Sequence, residues 1–271
     1  MKKAFVAILS VIILLPLLLG CSESGKGQLR VGMECDYAPF NWTQSDRTNG
    51  AVAISNDSTG FAAGYDVEIA KKIAADLNME LVIVKKDWDG LIPALSAGVI
   101  DIIIAGMSPK AERKEVIDFS DYYYESDLVI VVAADGPYAN AASLADFAGA
   151  KITGQLNTTH FDMIDQISGV DKQGALLTFP TMINSLKSGF IDGYVSERPG
   201  ALAAARAHSD LTFVAFDADK GFTYDPNEAN VSIGMSKGSD LLAKINGALA
   251  KISKEDREQL MIDALANSAE D

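Results

Sequence analysis

Cysteine and histidine are almost missing from this chain. Its 271 residues include two cysteines, Cys21 and Cys35, and two histidines, His160 and His208. A cysteine metal cluster and a histidine-rich metal site are therefore excluded, and no cofactor is expected. Basic side chains are also scarce. There are 23 Lys and Arg against 37 Asp and Glu, a formal charge of −14. That balance argues against nucleic acid as a partner, because phosphates demand a positive surface. It favours solubility and permits attraction of cations. The apolar run Ala4–Leu19 has sixteen residues, interrupted by Ser10 and Pro16. It falls short of the roughly 20 residues needed to span a hydrocarbon core.

What that run does have is a basic start, Lys2-Lys3, and a small residue before a cysteine, Leu18-Leu19-Gly20-Cys21. A basic start, a short apolar stretch and a small residue at the cut describe a secretory signal; an uncleaved membrane anchor is the alternative. The four-residue end resembles a bacterial lipobox, which implies that Cys21 becomes the lipidated first residue of the mature protein. Ser22–Gly27 is small and polar, as a tether should be. Such a chain sits on the outer face of a membrane without crossing it. Removing residues 1–20 takes away Lys2 and Lys3 and no acid, so 251 residues remain with 21 bases facing 37 acids, a formal charge of −16. Cys35 is then the one thiol left and is expected as a small buried filler, with no disulfide.

The mature length allows one large or two modest domains. Strand and helix patterns alternate, which predicts an α/β fold with parallel sheets and crossover helices. Strands are expected at Leu29–Met33, Glu80–Lys85, Ile100–Ala105, Leu128–Ala134, Lys151–Gly154, Leu176–Phe179, Phe190–Val195 and Val231–Ser236. Helices are expected at Tyr65–Leu77, Leu91–Gly98, Ser143–Phe147, Thr159–Gln166, Thr181–Ser188, Pro199–Ala207, Ser239–Ile252 and Lys254–Ala266, from apolar spacing, serine caps and glycine stops. Thr43–Gly64 is rich in Ser, Thr, Asn, Asp and Gly and reads as a loop, with room for a hairpin around Val52–Ser55. One internal echo stands out: Leu95-Ser96-Ala97-Gly98-Val99-Ile100-Asp101 against Leu186-Lys187-Ser188-Gly189-Phe190-Ile191-Asp192. A repeated helix-to-strand joint fits two lobes of similar build, although such joints recur in α/β proteins generally.

Several ordered motifs carry a family resemblance. Val31-Gly32-Met33-Glu34-Cys35-Asp36-Tyr37-Ala38-Pro39-Phe40 is followed by Gly64-Tyr65-Asp66-Val67-Glu68-Ile69-Ala70 and Trp88-Asp89-Gly90-Leu91-Ile92-Pro93-Ala94-Leu95. Next come Ala105-Gly106-Met107-Ser108 with Glu112-Arg113-Lys114, Asp118-Phe119-Ser120-Asp121-Tyr122-Tyr123, Gln155-Leu156-Asn157-Thr158-Thr159 and Gly189-Phe190-Ile191-Asp192-Gly193-Tyr194. From about residue 29 to the C-terminus the chain resembles the family 3 solute-binding proteins, the polar amino-acid receptors of ABC importers, and within them the lysine/arginine/ornithine type. The resemblance implies a type II periplasmic-binding-protein fold: two lobes, each a mixed or parallel sheet with flanking helices, joined by two hinge strands. Lobe 1 would comprise 29–126 plus 217–271 and lobe 2 127–216, with crossings near Glu125–Asp127 and Asp217. A free amino acid would bind between the lobes. The partners implied are an ABC permease with its ATPase, and the protein itself would be a monomer.

The same resemblance nominates the site. Arg113, five residues beyond Ser108, would clamp the ligand carboxylate, since a guanidinium meets a carboxylate with two parallel hydrogen bonds. Gly106 and Gln155 belong to the motifs on either side. Thr158 and Thr159 would complete the carboxylate pocket from lobe 2, although helix capping explains them equally. Asn157 stands where the family usually has glycine, a departure that asparagine tolerates. Glu197 would accept the α-ammonium, or else be a solvated glutamate beside Arg198. Tyr37 and Trp88 would flank the ligand side chain, with core packing as the alternative. Glu34 aligns with an acidic position that meets the distal cation in basic amino-acid receptors; its alternative is to point to solvent. Phe40 and Trp42 fit lobe packing as well as a site, and Asp66 fits a helix start. His160, beside the threonines, fits a partly exposed helix position, with lining the cleft as the alternative.

Together these imply a hinge-closing receptor for arginine, lysine or ornithine. Glutamine, cystine or another polar amino acid is the alternative ligand. The alternative classes are a cyclohexadienyl-dehydratase-like enzyme on the same fold, with His160 and Glu197 the one conceivable acid–base pair, and a sensing subunit that contacts a signalling receptor.

Overall fold

The computed structural model describes residues 26–125, 127–217 and 219–268. The leader, Cys21 and most of the tether lie outside the described residues. Among the described residues no helix is long and apolar enough to cross a membrane.

The chain opens with β1 (Gln28–Met33), whose Leu29, Val31 and Met33 are fully buried. It then turns back on itself through β2 (Asp36–Tyr37), β3 (Asn41–Gln44), β4 (Val52–Ala53) and β5 (Phe61–Ala63). These form a small antiparallel sheet in the order β2-β3-β5-β4. The segment Thr43–Gly64, expected as a loop with room for a hairpin, is mostly loop but carries short strands, with β5 paired to both β3 and β4. Its strands are two to four residues long, too short for a period to show. Aspartate turns separate them, with Asp46 Oδ1 accepting from the Thr48 amide and Asp57 Oδ1 from the Thr59 and Gly60 amides.

Helix α1 (Tyr65–Asp76) buries Val67, Ile69, Ala70, Ile73 and Ala74, the face its spacing predicts. Then come β6 (Glu80–Lys85), α2 (Leu91–Ser96), β7 (Ile102–Ile103), α3 (Ala111–Val116) and β8 (Ile117–Tyr124). Only two residues of the expected strand Ile100–Ala105 pair. β8 was not anticipated from sequence. Its Ile117-Asp118-Phe119-Ser120 alternates but Asp121 breaks the pattern, and its pairing with Val231–Ser236 shifts register twice.

The chain now enters a second sheet with β9 (Leu128–Ala133), β10 (Lys151–Thr153), α4 (Thr159–Met163), β11 (Asp171–Lys172), α5 (Phe179–Lys187), β12 (Gly193–Glu197), α6 (Arg198–Ala207) and β13 (Leu211–Val214). Four expectations are corrected here. Ser143–Phe147 is one 3₁₀ turn closed by a Ser143–Asp146 capping box. The helix expected to Gln166 tightens into a 3₁₀ turn at Ile164. Leu176–Phe179 is no strand: Leu176 makes a single bridge to Gln155, and Thr178 caps α5, which starts at Phe179. The strand expected at Phe190 begins at Gly193, leaving Phe190 exposed. The chain returns to the first sheet through α7 (Pro226–Ala229) and β14 (Val231–Ser236), then closes with α8 (Leu241–Leu249) and α9 (Lys254–Asn267).

The two five-stranded sheets run β6-β1-β7-β14-β8 and β11-β10-β12-β9-β13. In each, three parallel strands meet an antiparallel pair. The internal echo falls on equivalent joints. Gly98 and Gly189 both take left-handed φ, +67° and +73°, after a helix. Asp101 and Asp192 then each exchange two hydrogen bonds with the strand beside them. The Asp101 amide donates to Arg30 O while its carboxylate accepts from the Arg30 amide; Asp192 does the same with Lys151. Two crossings join the sheets, one between β8 and β9 and one between β13 and β14.

Candidate functional site

Where the two sheets face each other, the site residues come from the carboxyl ends of strands, the usual place for ligands in open α/β sheets. Glu34 follows β1, Gly106 and Ser108 follow β7, Gln155–His160 follow β10, and Glu197 ends β12. Arg113 comes from α3. Between them lies a small cavity of about 10 Å³, walled by Tyr37, Trp88, Ala105, Gly106, Ser108, Arg113, Gln155, Thr158, Thr159 and His160.

Arg113 is 8 % exposed. Its Nη1 donates to Ser108 O at 2.7 Å and its Nη2 to Asn157 O at 2.6 Å, across the two lobes. Its guanidinium lies over the Trp88 ring, 5.1 Å from the centroid. Burial lowers its pKa to about 10, which leaves it a cation at neutral pH. The left-handed backbone at Asn157, φ +58°, is the conformation a glycine would adopt freely. The Asn157 side chain donates to Asp89 Oδ1 at 2.9 Å, a second link between lobes. Lys110 and Asp162 form a third.

Thr158 and Thr159 have separate tasks. Thr158 caps α4: its hydroxyl donates to Gln155 O at 2.6 Å and accepts from the Phe161 amide. The Thr159 hydroxyl is buried and has no partner.

At another side of the cavity, Tyr37 crosses from its own lobe into the other. Its ring stacks on Phe179 with centroids 3.8 Å apart and planes within 6°. Its hydroxyl donates to Glu197 Oε2. Gly106 makes room for it, since a Cβ there would stand 3.1 Å from the Tyr37 ring, and its φ of +61° also suits glycine. His160 Nε2 reaches the same Glu197 oxygen at 2.6 Å. Burial pushes the Glu197 carboxyl up, but His160, through its charge when protonated and its hydrogen bond, and the Tyr37 hydroxyl outweigh it. The carboxyl is held below its ordinary value and is ionised.

Glu34 is 3 % exposed and faces Gln155, whose Nε2 donates to both its oxygens at 2.9 and 3.0 Å. Burial pushes its pKa up to about 7; the Gln155 bond and Lys85 oppose that, while Asp36 and Asp87 add to it.

A family profile for bacterial extracellular solute-binding proteins, family 3, matches residues 29–263. The chain belongs to that family. This family 3 protein is 30% identical to the arginine-binding extracellular protein ArtP of Bacillus subtilis (strain 168) over 242 residues, covering 88% of this chain and 85% of ArtP. It is 28% identical to the L-cystine-binding protein TcyJ of Escherichia coli (strain K12) over 235 residues, 85% and 79% of the two chains. An amino-acid ABC transporter substrate-binding protein of Streptococcus pneumoniae bound to L-arginine superposes with a TM-score of 0.76 at 26% identity, covering 89% of this chain and 94% of that one. The two-lobed type II binding-protein architecture is therefore that of its structural neighbours.

In this family 3 binding protein the fold brings together all ten residues chosen from sequence, but not in one layer. Eight of them wall the cavity. Glu34 and Glu197 stand one residue behind it, the first screened by Gln155 and the second by Tyr37 and His160. Glu34 does not point to solvent. Trp88 faces Arg113, and Phe40 is core. Asp66 sits in the first turn of α1, fully buried, accepting from Asn41 Nδ2 and the Tyr123 hydroxyl, and away from the cavity wall. The reading of His160 as a partly exposed helix residue is corrected: it is 5 % exposed and lines the cavity. Phe179 was not singled out, because a phenylalanine at a helix start carries no sign of the ring it will stack on.

Proposed function

We propose that this extracytoplasmic protein is the lipid-anchored substrate-binding subunit of an amino-acid ABC importer, and that its ligand is a free L-amino acid with a cationic side chain. One observation carries the reading. A buried guanidinium, Arg113, walls a closed cavity between two lobes, and two buried carboxylates, Glu34 and Glu197, stand behind other walls of the same cavity. That arrangement offers one cation for an α-carboxylate and two anions for an α-ammonium and a distal cation. Arginine binding by ArtP and by the S. pneumoniae protein agrees with it. The cystine-binding relative makes a neutral polar ligand the second candidate.

The ligand carboxylate would take over the Arg113 donors now given to Ser108 O and Asn157 O, with the Thr159 hydroxyl beside it. The ammonium would enter the Tyr37, His160 and Glu197 group. A distal cation would displace the Gln155 amide from Glu34. Ser108, whose hydroxyl donates to Ala229 O, and Gly106 would shape the wall. Lobe 1 would comprise residues 29–126 plus 217–271 and lobe 2 residues 127–216, since β1, β6, β7, β8 and β14 share one sheet and β9–β13 the other. Closure about the two crossings would present the surface that a permease reads, with Cys21 holding a monomer at the membrane.

Titration calorimetry with L-arginine, L-lysine, L-ornithine, L-glutamine and L-cystine tests the reading. A cationic ligand should bind, and Arg113→Ala should weaken every α-amino acid by about a hundredfold or more. Near-native affinity in that variant, or no binding by the natural sequence, refutes it. The buried His160–Glu197 pair is the one feature that favours an enzyme; turnover of prephenate or arogenate, abolished by Glu197→Gln, would establish that instead.

A further inference from the structure

Buried polar atoms without a partner are rare and each needs a reason. Among the described residues four side-chain atoms are buried and unpaired, and two of them belong to consecutive residues on this cavity, Thr159 Oγ1 and His160 Nδ1. Leaving such an atom unpaired forfeits the water it would bond in the unfolded chain. Both side chains are more than nine-tenths buried.

His160 also stands between Glu197 and the cavity. It lines the wall, Glu197 does not, and its Nε2 is held by Glu197 Oε2. With Nε2–H donating to that carboxylate, the other nitrogen of a neutral imidazole is an acceptor. A ligand ammonium that draws near Glu197 must pass the imidazole, whose Nδ1 is unpaired. Thr159 Oγ1 has a hydroxyl proton to give, which a carboxylate can take. An α-amino acid carries the two complementary groups on one carbon.

We propose that His160 is a ligand-recognition residue, whose Nδ1 accepts an N–H from the α-ammonium while its Nε2 anchors Glu197. This deepens the amino-acid reading above and rests on it. His160 thereby selects for ligands with a free α-amino group, independently of the side chain at the Glu34 end.

Two substitutions separate recognition from positioning. In His160→Gln the amide nitrogen can still reach Glu197, but no acceptor stands at the Nδ1 position. In His160→Asn an amide oxygen replaces Nδ1, but the contact with Glu197 is lost. Calorimetry with L-arginine should show the Gln variant weakened roughly tenfold or more, and the Asn variant weakened less. The Gln variant should also lose most of the preference for L-arginine over its des-amino analogue. A Gln variant within twofold of the natural sequence, or losses equal in the two variants, overturns the proposal. A second measurement needs no variant. The chain has only two histidines, so imidazole ¹⁵N spectra resolve both. On adding L-arginine the His160 Nδ1 resonance should move, as an acceptor gains a hydrogen bond, while half-buried His208 stays unchanged. A still resonance, or a protonated Nδ1 in the complex, overturns it. Should the natural sequence bind none of the amino acids above, it is the receptor reading that falls.

Discussion

Replacing Glu34 by glutamine should make the ligand-free protein more stable, and only above acid pH. The carboxyl is 3 % exposed and burial raises its pKa from 4.5 to about 7. A shift of that size corresponds to about 3 kcal/mol, at 1.36 kcal/mol per pH unit. The sign follows from proton binding. Between pH 4.5 and 7 the folded state holds this proton more tightly than the unfolded state does, so stability falls as pH rises through that window. Below it Glu34 is neutral in both states and costs nothing; above 7 the full penalty of a buried charge stands. Glutamine cannot ionise, and its amide oxygen can still accept from Gln155 Nε2. Its own NH₂ needs an acceptor, but that term is the same at every pH. The stability difference between Glu34→Gln and the natural sequence, from urea unfolding at pH 4.5 and pH 8, should therefore grow by about 2–3 kcal/mol across the two. A difference that stays flat with pH would show that Glu34 is not desolvated as this packing requires, and the case for an acid kept behind the cavity for a ligand cation would fall with it. The same variant should bind L-arginine more weakly while L-glutamine is spared, and L-arginine binding to the natural sequence near pH 6.5 should release a proton, read from calorimetry in buffers of different ionisation enthalpy.

Gly106→Ala should cost about 1–3 kcal/mol in thermal unfolding, because it adds a Cβ at 3.1 Å from the Tyr37 ring on a left-handed backbone; an unaffected melting temperature would mean that Tyr37 does not pack there. Asp66→Ala should destabilise by about 2–5 kcal/mol, leaving Asn41 Nδ2 and the Tyr123 hydroxyl without their buried acceptor; amino-acid affinity measured below the melting transition should be unchanged, and a large loss of affinity would place Asp66 in the site. Metabolic labelling with radioactive palmitate should mark the protein, and Cys21→Ser should abolish the label; label retained in that variant would remove the lipid anchor from Cys21.

Motif and periodicity determined much of this protein before any coordinate. The alternation of α1, β6 and α2, the acidic surface, and the repeated Gly–x–Ile–Asp joint are local properties, written in residues a few positions apart. The choice of Arg113 and its companions came from the family resemblance that the contiguous motifs carry. Short or register-shifted strands were not legible. β8 gains its pairing from a strand more than a hundred positions away, and two-residue strands such as β2 and β4 have no period to detect. Partnership across the cavity was equally hidden. That Tyr37 would stack on Phe179 and share Glu197 with His160 depends on residues more than a hundred positions apart. The burial that raises Glu34 and leaves His160 Nδ1 unpaired is a property of two closed lobes, because desolvation is set by everything packed around a group and not by its neighbours in the chain.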